Sequence, residues 1–387
     1  MNDISQIKAC VAVADYYIAG QTFVNRHIEK LYGGNTCVVA GRFNGKRPVD
    51  ARFFERRQAL SLGDKVLAPV VLPWNWAVLG TERVPYGSVK ARLVAFLKEQ
   101  KPDVILSEFG TQGVVLAPLA QAMGIPMFCY FRGSDASSRL SHSHVRRAYR
   151  HMFPRLTGVI AVSQFLLDNL EAKAGVRHDN AVVIPSGVDV RWFTPGAKVP
   201  GSAMAVGRMV EKKAPLMTIR AFAEALKATP GATLTMVGSG ELLEPARALV
   251  RDLGLEGAVH LPGSLPHDQV RDLMVRSELF VQHSLTARNG NTEGLPTAIQ
   301  EAMAAGCVCV TTRHAGIPEA LEHGVTGFMV PEHDEAGYTR HMVDVMGWSA
   351  DDKAAMGAQA RLVAEERFDN AVLLAKLEAH MARAVRD

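Results

Sequence analysis

The sequence has few cysteines, little net charge and no long apolar run, and each shortage excludes a class of protein. Its five cysteines are odd in number and lie mostly in apolar, strand-like runs, which argues against a disulfide framework. A net charge of +4 is too small to indicate nucleic-acid binding. No apolar run is long enough to span a bilayer, and MNDISQIKAC lacks the features of a secretory signal. We therefore expect a cytoplasmic protein, with a peripheral position at the inner face of the membrane left open.

Short apolar runs alternate with segments of helical period from one end of the chain to the other. This pattern is typical of parallel strands joined by crossover helices, and 387 residues exceed the usual size of one hydrophobic core. The alternation restarts after FTPGAKVPGS, where proline and glycine cluster. We predict an α/β protein with Rossmann-like domains over residues 1–196 and 197–387. The helical segment near 366–387 can pack on either domain.

The stretch EGLPTAIQEAMAAG predicts a loop followed by a helix. Pro296 suits the first helical position, and Gly294 and Leu295 before it would present backbone N–H groups to a phosphate. Glu293 lies just ahead of the helix and Glu301 lies in its second turn, so the two acids can bracket a bound anion. Alternatively, Glu293 only favours the helix dipole and Glu301 is a surface acid.

The stretch AVGRMVEKKAPL predicts a strand, a loop and a helix that begins near Pro215. The loop carries Gly207, Arg208 and Lys213. Two cations at the carboxyl edge of a sheet can neutralise a diphosphate and the charge that grows on a leaving group. The alternative is a solvated loop in which Arg208, Lys212 and Lys213 have no such role.

Glycines follow another predicted strand in VGSGELLEP. Gly238 and Gly240 begin a dinucleotide-binding fingerprint, but Leu243 stands where its third glycine would be. The pattern is therefore weak evidence for a nicotinamide dehydrogenase. Glycines at this place still allow a backbone to approach a ligand or the other domain closely.

The first half has two loops of its own with candidate polar residues. IAGQTF places Gly20, Gln21 and Thr22 at the end of the first strand, and YFRGSDAS places Arg132 and Asp135 after another. Both loops can face a ligand crevice, because such crevices form at the carboxyl ends of parallel strands. Ordinary turn chemistry is the alternative, since Gly, Ser and Asp are common in turns.

The segment HSHVRRAYRHMFPRL predicts a basic helix. Arg146, Arg147 and Arg150 can form a solvated face, or they can contact acceptor phosphates or an anionic membrane. The charge pattern alone leaves both interpretations open.

Together these stretches resemble glycosyltransferase family 4, whose GT-B architecture has two Rossmann-like doubly wound domains facing a central cleft. The matching pattern runs from Gly207 to about Pro331 through GRMVEKKA, MVGSGE, EGLPTAIQEAMAAG and AGIPEALEHGVTGFMV, and IPSGVDVRWFTP extends it backward. HSLTARNGNTEGLPT, together with GQTF, is similar more narrowly to bacterial transferases that build exopolysaccharides of the colanic-acid and amylovoran type.

The resemblance implies a retaining, hexosyl-type transferase that needs no metal and no cofactor. The sequence agrees in having no Asp-x-Asp pair and no histidines with ligand spacing. The C-terminal domain would bind a nucleotide-diphosphate-sugar, with UDP or GDP left open, and the N-terminal domain a sugar or lipid-linked saccharide acceptor. The residues that would contact the donor are Arg208 and Lys213 at the diphosphate, Gly294 and Leu295 through backbone N–H groups, Glu301 at the ribose and Glu293 at the sugar.

This chain departs from the family pattern at two places. Arg132 stands where the family often has histidine, and Ala214 replaces the glycine that usually follows the lysine equivalent to Lys213. Two rival functions also remain: a nucleotide-sugar epimerase of similar fold, and a non-catalytic nucleotide-sugar-binding component of a polysaccharide assembly complex. The joint presence of Glu293, Glu301 and the two cations argues against the second.

Overall fold

A computed structural model of the chain describes residues 6–18, 20–43, 50–57 and 60–386. The chain divides into two compact units, one formed by Met1–Ile184 with Leu374–Asp387 and the other by Pro185–Leu373. Each unit is a parallel sheet with helices between its strands, which confirms the prediction of two Rossmann-like domains.

The described part of the first unit contains a seven-stranded parallel sheet in the order β3-β2-β1-β4-β5-β6-β7. Its strands are β1 (Ala9–Tyr16), β2 (Thr36–Phe43), β3 (Phe53–Glu55), β4 (Val104–Glu108), β5 (Met127–Phe131), β6 (Gly158–Ala161) and β7 (Ala181–Val183). Its helices are α1 (Thr22–Lys30), α2 (Leu62–Leu79), α3 (Gly87–Gln100), α4 (Gly110–Met123), α5 (Ser143–Met152) and α6 (Gln164–Asn169). In register, Cys10 of β1 pairs with Cys37 of β2 and with Ile105 of β4. These strands read as continuous apolar runs because helices cover both faces of such a sheet.

The second unit repeats this strand order with six strands, β10-β9-β8-β11-β12-β13. Its strands are β8 (Val199–Val206), β9 (Thr233–Val237), β10 (Val259–Gly263), β11 (Ser277–Val281), β12 (Val308–Thr312) and β13 (Gly327–Val330). The helices after Pro185 are α7 (Pro215–Ala228), α8 (Leu243–Asp252), α9 (His267–Arg276), α10 (Thr297–Ala304), α11 (Glu335–Met346), α12 (Ala350–Arg367) and α13 (Asn370–Arg386). The order reverses between β8 and β11, and open sheets bind ligands at such a point.

The division into units falls after Ile184, before the predicted boundary near residue 197. Residues 185–196 bond to the second unit: the backbone N–H of Gly187 donates to Gln300, and that of Gly196 donates to the carbonyl of Val275. The proline and glycine cluster at 194–201 therefore lies inside the second unit, next to its first strand. The chain returns to the first unit after Leu373, within the last helix, α13.

Several elements were not predicted from the sequence, among them strands β3, β10 and β13 and helix α2. Helix α2 carries Pro69 and Pro73 in its interior, and proline normally argues against a helix. It is stabilised at its start by a capping box, in which the side chains of Ser61 and Asp64 accept each other's backbone N–H. All five cysteines are buried and free. Among the described helices, none is both long and apolar enough to cross a bilayer.

Candidate functional site

Loops after β8 and β11 meet where the strand order of the second sheet reverses. Gly207 and Arg208 follow β8, and Gln282 follows β11. The ammonium group of Lys213 donates a hydrogen bond of 3.0 Å to Gln282 Oε1 and so joins the two loops. Gly207, Arg208, Lys213 and Gln282 line one cavity. The structure thus brings both predicted cations to the edge of the sheet at which ligands bind.

Glu293 reaches this cluster from the loop before α10. Its Oε1 lies 3.1 Å from Lys213 Nζ and its Oε2 lies 3.2 Å from Lys212 Nζ. The three side chains are only 9% to 15% exposed. Burial would raise the pKa of Glu293, but Lys213 and Lys212 outweigh burial and hold this pKa at about 2. Glu293 is therefore a buried carboxylate that stays ionised at neutral pH.

Lys212 is the member of this cluster for which sequence patterns predicted no binding role. Its ammonium group also donates to the carbonyl of Thr292 at 3.1 Å, so Lys212 fixes both the backbone and the side chain of the Glu293 loop. Burial lowers the pKa of Lys212, and the charges of Lys213 and Arg208 lower it further against the opposing effect of Glu293. Arg208 itself is exposed. The loop after β8 therefore has a buried lysine that holds the site and an exposed arginine beside it.

The predicted phosphate-binding helix is α10, and it begins one residue later than predicted. Pro296 precedes the first helical residue, Thr297, and no side chain caps this end of the helix. Leu295 is buried, and the carbonyl of Gly294 accepts a hydrogen bond of 2.9 Å from the backbone N–H of Gly316. An uncapped helix start next to Glu293 is the kind of place that binds anions.

Glu301 lies in the second turn of α10, as predicted. Its Oε1 lies 3.4 Å from Nε2 of His267, which begins α9. The His267 ring packs against Trp192, with ring centroids 4.6 Å apart. Glu301 is thus half-buried in a polar and aromatic corner that could hold the ribose and base of a nucleotide.

Behind Glu293 lies a histidine and carboxylate pair that sequence reasoning missed. Nε2 of His314 accepts the backbone N–H of Glu293 at 3.0 Å, so the proton of the ring must lie on Nδ1. Nδ1 donates to Glu332 Oε1 at 2.6 Å, and Glu332 also accepts from the backbone N–H of Thr286 at 2.7 Å. This series of hydrogen bonds fixes the tautomer of His314 and the position of the Glu293 backbone.

Gly238 and Gly240 lie against the loop that follows β8. A Cβ atom added to Gly238 would lie 1.8 Å from the carbonyl oxygen of Gly207, and one added to Gly240 would lie 2.4 Å from that of Met209. The backbone N–H of Met209 also donates to the carbonyl of Ser239 at 2.9 Å. The close approach that these glycines permit is therefore to the loop of Arg208, within the second unit.

In the first unit, Arg132 belongs to a buried ionic cluster at the end of β4. Its Nε donates to Glu108 Oε2 at 2.8 Å, and Nδ1 of His27 lies 2.6 Å from Glu108 Oε1. Burial opposes ionisation of Glu108, but Arg132 and His27 overcome it and hold its pKa at about 2. The guanidinium group also stacks on Tyr130 and Phe23, at 3.7 and 4.2 Å from their ring centroids. Arg132, which follows β5, is thus held in place by Glu108 at the end of β4.

Asp135 has a different environment from Arg132. Its carboxylate accepts backbone N–H groups from Gly110, Arg132 and Gly133, at 3.0, 3.2 and 2.9 Å. Burial raises the pKa of Asp135 against the effect of these hydrogen bonds. These contacts show that Asp135 holds the loop that carries Arg132, and any direct part in chemistry stays a prediction.

Gly20, Gln21 and Thr22 lie at the start of α1. Gln21 is the residue before the helix and Thr22 is its first residue, whereas Gly20 has open space where a side chain would be. The next residue, Phe23, is the one that stacks on Arg132. The structure therefore brings the two candidate loops of the first half together.

The arginines of α5 make mostly structural contacts. Arg146 donates to the carbonyl of Leu140 at 2.7 Å, and Arg150 donates to that of Ala174 at 2.8 Å. Arg147 donates to the carbonyl of Ala77 at 3.2 Å and stacks on Trp76. These contacts tie α5 to neighbouring segments of the first unit.

Within the residues that the structure describes, no three His, Cys, Asp or Glu side chains converge as a metal ion requires.

Comparison with protein families matches both halves of the chain. A model described as Glycosyl transferases group 1 matches residues 199–362, and one described as Glycosyltransferase Family 4 matches residues 44–192. The first match contains the whole cluster of Arg208, Lys213 and Glu293. These matches do not favour the epimerase or the non-catalytic alternative.

Similar proteins include a glycosyltransferase named for colanic acid biosynthesis, WcaL of Escherichia coli (strain K12), which is 29% identical over 70% of this chain and 68% of its own. Its counterpart from Salmonella typhimurium is 32% identical over 60% of this chain and 58% of its own. The amylovoran biosynthesis glycosyltransferase AmsK of Erwinia amylovora is 29% identical over 64% of each chain. The chain thus spans between 58% and 68% of the length of these relatives.

Solved structures with the same fold include Anabaena HepE in complex with UDP. It superposes with a TM-score of 0.78 over 97% of this chain and 100% of its own, at 19% identity. Sucrose-phosphate synthase from Thermosynechococcus elongatus gives a TM-score of 0.74 over 98% of this chain and 99% of its own, at 14% identity. At these identities the likeness concerns the fold, which is of the GT-B type.

Proposed function

This chain belongs to the glycosyltransferases whose family models match its two halves, and we propose that it transfers a sugar from a nucleotide-diphosphate donor to an acceptor. The observation that carries the proposal is the contact of Lys213 with both Glu293 and Gln282, next to Arg208, at the reversal point of the second sheet. This arrangement has the cations that a diphosphate leaving group needs, and a carboxylate for the sugar.

We propose that Lys213, Arg208 and the uncapped start of α10 bind the diphosphate and stabilise the charge that develops on it as the sugar leaves. These groups would make a metal ion and a cofactor unnecessary. Diphosphate oxygens would compete with Glu293 for Lys213, whereas Lys212 would stay on the other carboxylate oxygen and keep Glu293 ionised. An ionised Glu293 suits a transition state in which positive charge develops on the sugar ring.

We propose that transfer proceeds with retention of the anomeric configuration, as the resemblance to family 4 implies. Glu301 would hold the ribose hydroxyls, beside Trp192 and His267. UDP is the first donor nucleotide to test, because Anabaena HepE has been crystallised with it at the same fold. The product's anomeric configuration can be read by nuclear magnetic resonance, and an inverted product would refute this part of the proposal.

We propose that the first unit binds the acceptor, a sugar or a lipid-linked saccharide, during exopolysaccharide or other cell-surface glycan synthesis. The names of the WcaL and AmsK proteins support this pathway. Arg132, which follows β5, would contact the acceptor where other members of the family often have histidine. A contact of Arg146, Arg147 and Arg150 with anionic membrane is part of the same proposal.

The proposal is tested by donor binding and then by turnover. A thermal-shift screen with UDP- and GDP-sugars should raise the melting temperature with the true donor, because a ligand that binds only the folded state stabilises it. Glu301→Ala should weaken donor binding at least tenfold, while Glu256→Ala, which removes an exposed carboxylate, should leave it unchanged. If no nucleotide sugar shifts the melting temperature, the proposed donor site is wrong.

Turnover separates transfer from the rival enzyme. The protein is incubated with its donor with and without saccharide acceptors, and the sugar products are identified by mass spectrometry and chromatography. Transfer predicts a new glycosidic bond that requires the acceptor. A changed sugar on the intact nucleotide, formed without acceptor, would establish an epimerase instead.

A further inference from the structure

Helix α2 presents its apolar side chains outward. Leu62, Val66, Val70 and Trp74 are 82%, 78%, 72% and 65% exposed. They follow one another at intervals of four residues, so they form one continuous row along the helix. We call this row the α2 apolar face. A helix on the surface of a soluble domain normally turns such a row toward the core.

The opposite side of α2 buries polar groups. Asp64 is 3% exposed and its carboxylate accepts the backbone N–H of Ser88 at 2.8 Å and that of Ser61 at 3.1 Å. Asn75 is 6% exposed and donates to the carbonyl of Val84 at 3.3 Å. Hydrogen bonds from the serines lower the pKa of Asp64, so it stays charged in this position. These bonds fix the rotation of the helix, and the α2 apolar face must therefore point away from the first unit's core.

Cations border one end of this face. The guanidinium group of Arg147 lies 4.3 Å from the ring centroid of Trp76, which is itself 48% exposed. Trp76 also lines a cavity with Arg83 and Arg139, and Glu82 is the carboxylate in that lining. Burial lowers the pKa of Arg83, and the nearby charge of Arg139 lowers it further. Lys65, on α2 itself, is exposed as well.

We propose that the α2 apolar face docks on the surface of a bilayer that contains anionic lipids. A helix that lies in the interface places its apolar side chains among the acyl chains and its cations against the headgroups. Trp74 and Trp76 suit the boundary between the two, because the indole ring is apolar with one polar N–H. With 18 residues, the helix would lie along about 27 Å of the surface.

The charges favour a lipid surface over a second copy of the chain. A second copy would add the same three cations, Arg83, Arg139 and Arg147, to the contact and could not neutralise them, whereas anionic headgroups would. Docking is a separate property from sugar transfer, since it uses residues of α2 and not the cluster at Glu293. The three arginines of α5 bond to backbone carbonyls, and of these Arg147 also stacks on Trp76 at the border of the α2 apolar face.

The test is flotation of the full chain with vesicles of phosphatidylcholine alone and of phosphatidylcholine with phosphatidylglycerol. We expect binding to the anionic vesicles and a blue shift of tryptophan fluorescence as Trp74 and Trp76 leave water. Val66→Glu combined with Val70→Glu should reduce the fraction bound at least tenfold without loss of fold, because both side chains are exposed. The matched control is Leu362→Glu with Val372→Glu, which adds the same charges at positions that are 57% and 54% exposed.

The proposal is overturned if the wild type does not float with anionic vesicles, or if the α2 variant floats as well as the wild type. It is also overturned if sedimentation shows a dimer that the α2 variant, but not the control, dissociates, since the occupant would then be a second copy. Circular dichroism and the donor-induced melting shift report separately on folding and on the second unit. A protein that binds donor but not vesicles would refute docking and leave the proposed transferase intact.

Discussion

The ammonium group of Lys212 lies 3.2 Å from Oε2 of Glu293, and the two side chains are 10% and 9% exposed. A buried ion pair contributes little net stability, but removal of one partner leaves a buried charge with less compensation. A second lysine, Lys213, contacts the other oxygen of the same carboxylate, Oε1. The two neighbouring lysines should therefore differ in what they do.

Lys213→Ala should mainly impair sugar transfer, and Lys212→Ala should mainly impair stability. Loss of a group that stabilises the leaving diphosphate should lower kcat/KM by about 100- to 1000-fold. Loss of Lys212 should cost about 3 kcal/mol of unfolding free energy, since Glu293 and the Thr292 carbonyl lose a buried donor. Steady-state kinetics and urea unfolding of both variants check the split. Equal effects of the two variants on both measurements would contradict it.

Because Glu293 is ionised in the folded state, the second unit should lose stability when acid protonates this carboxylate. The pKa of Glu293 is lowered from 4.5 to about 2 in the folded state, so the stabilisation is complete above pH 4.5 and is lost as the pH falls toward 2. Glu293→Gln lacks this titration. The difference in urea midpoint between wild type and Glu293→Gln should therefore shrink as the pH falls through this window. A constant difference across the window would mean that Glu293 is not held ionised by its lysines.

His314 should act on transfer through the position of Glu293. His314→Ala removes the acceptor of the Glu293 backbone N–H, and we expect kcat to fall about tenfold with a smaller change in KM. His314→Gln can still accept this hydrogen bond through its amide oxygen and should recover part of the loss. His260→Ala, at an exposed position on β10, is the control. If His314 had a purely structural role, the activity of His314→Ala would fall only because its melting temperature falls, and His314→Gln would recover neither.

Gly238 should tolerate no side chain. Gly238→Ala would place a Cβ atom 1.8 Å from the Gly207 carbonyl oxygen, at a φ of +144°, so the loop of Arg208 must move. We expect a loss of several kcal/mol of stability together with weaker donor binding. Gly257→Ala is the matched control, because nothing lies within 4 Å of its added Cβ. If the two variants have the same melting temperature and donor affinity, the packing of these two loops does not shape the site.

Sequence patterns were sufficient for much of the fold and for part of the site. Buried parallel strands such as β5, with the sequence MFCYF, are continuous apolar runs, and this pattern is local, so they could be predicted. The positions of Arg208, Lys213 and Glu293 could also be predicted, since each lies in a loop next to a recognisable strand or helix. Strand β10 contains Pro262 and ends at Gly263, β13 has only four residues, and two prolines concealed α2.

Partners from distant parts of the chain could not be predicted. Lys212 and Lys213 both contact Glu293, which lies about 80 residues further along the chain, and no local pattern around either lysine indicates this partner. Glu108, His27 and Arg132 meet because the sheet places the ends of β4 and β5 beside α1, and nothing local announces that meeting. His314 and Glu332 likewise follow two different strands, β12 and β13. A pattern in one segment has no information about which atoms another segment brings within hydrogen-bonding distance.

Amino-acid patterns were enough to predict the class of fold, the presence of two Rossmann-like units and the chemical groups available for a sugar nucleotide, because hydrophobic period, glycine and charge are properties of single segments. Which of these groups are buried, which are paired and which way a helix faces depends on contacts between distant segments, and only the folded chain shows them. The contrast is clearest in α2, whose composition is that of a core helix. The hydrogen bond that Asp64 accepts from Ser88 and the one that Asn75 donates to Val84 turn its apolar side to the surface.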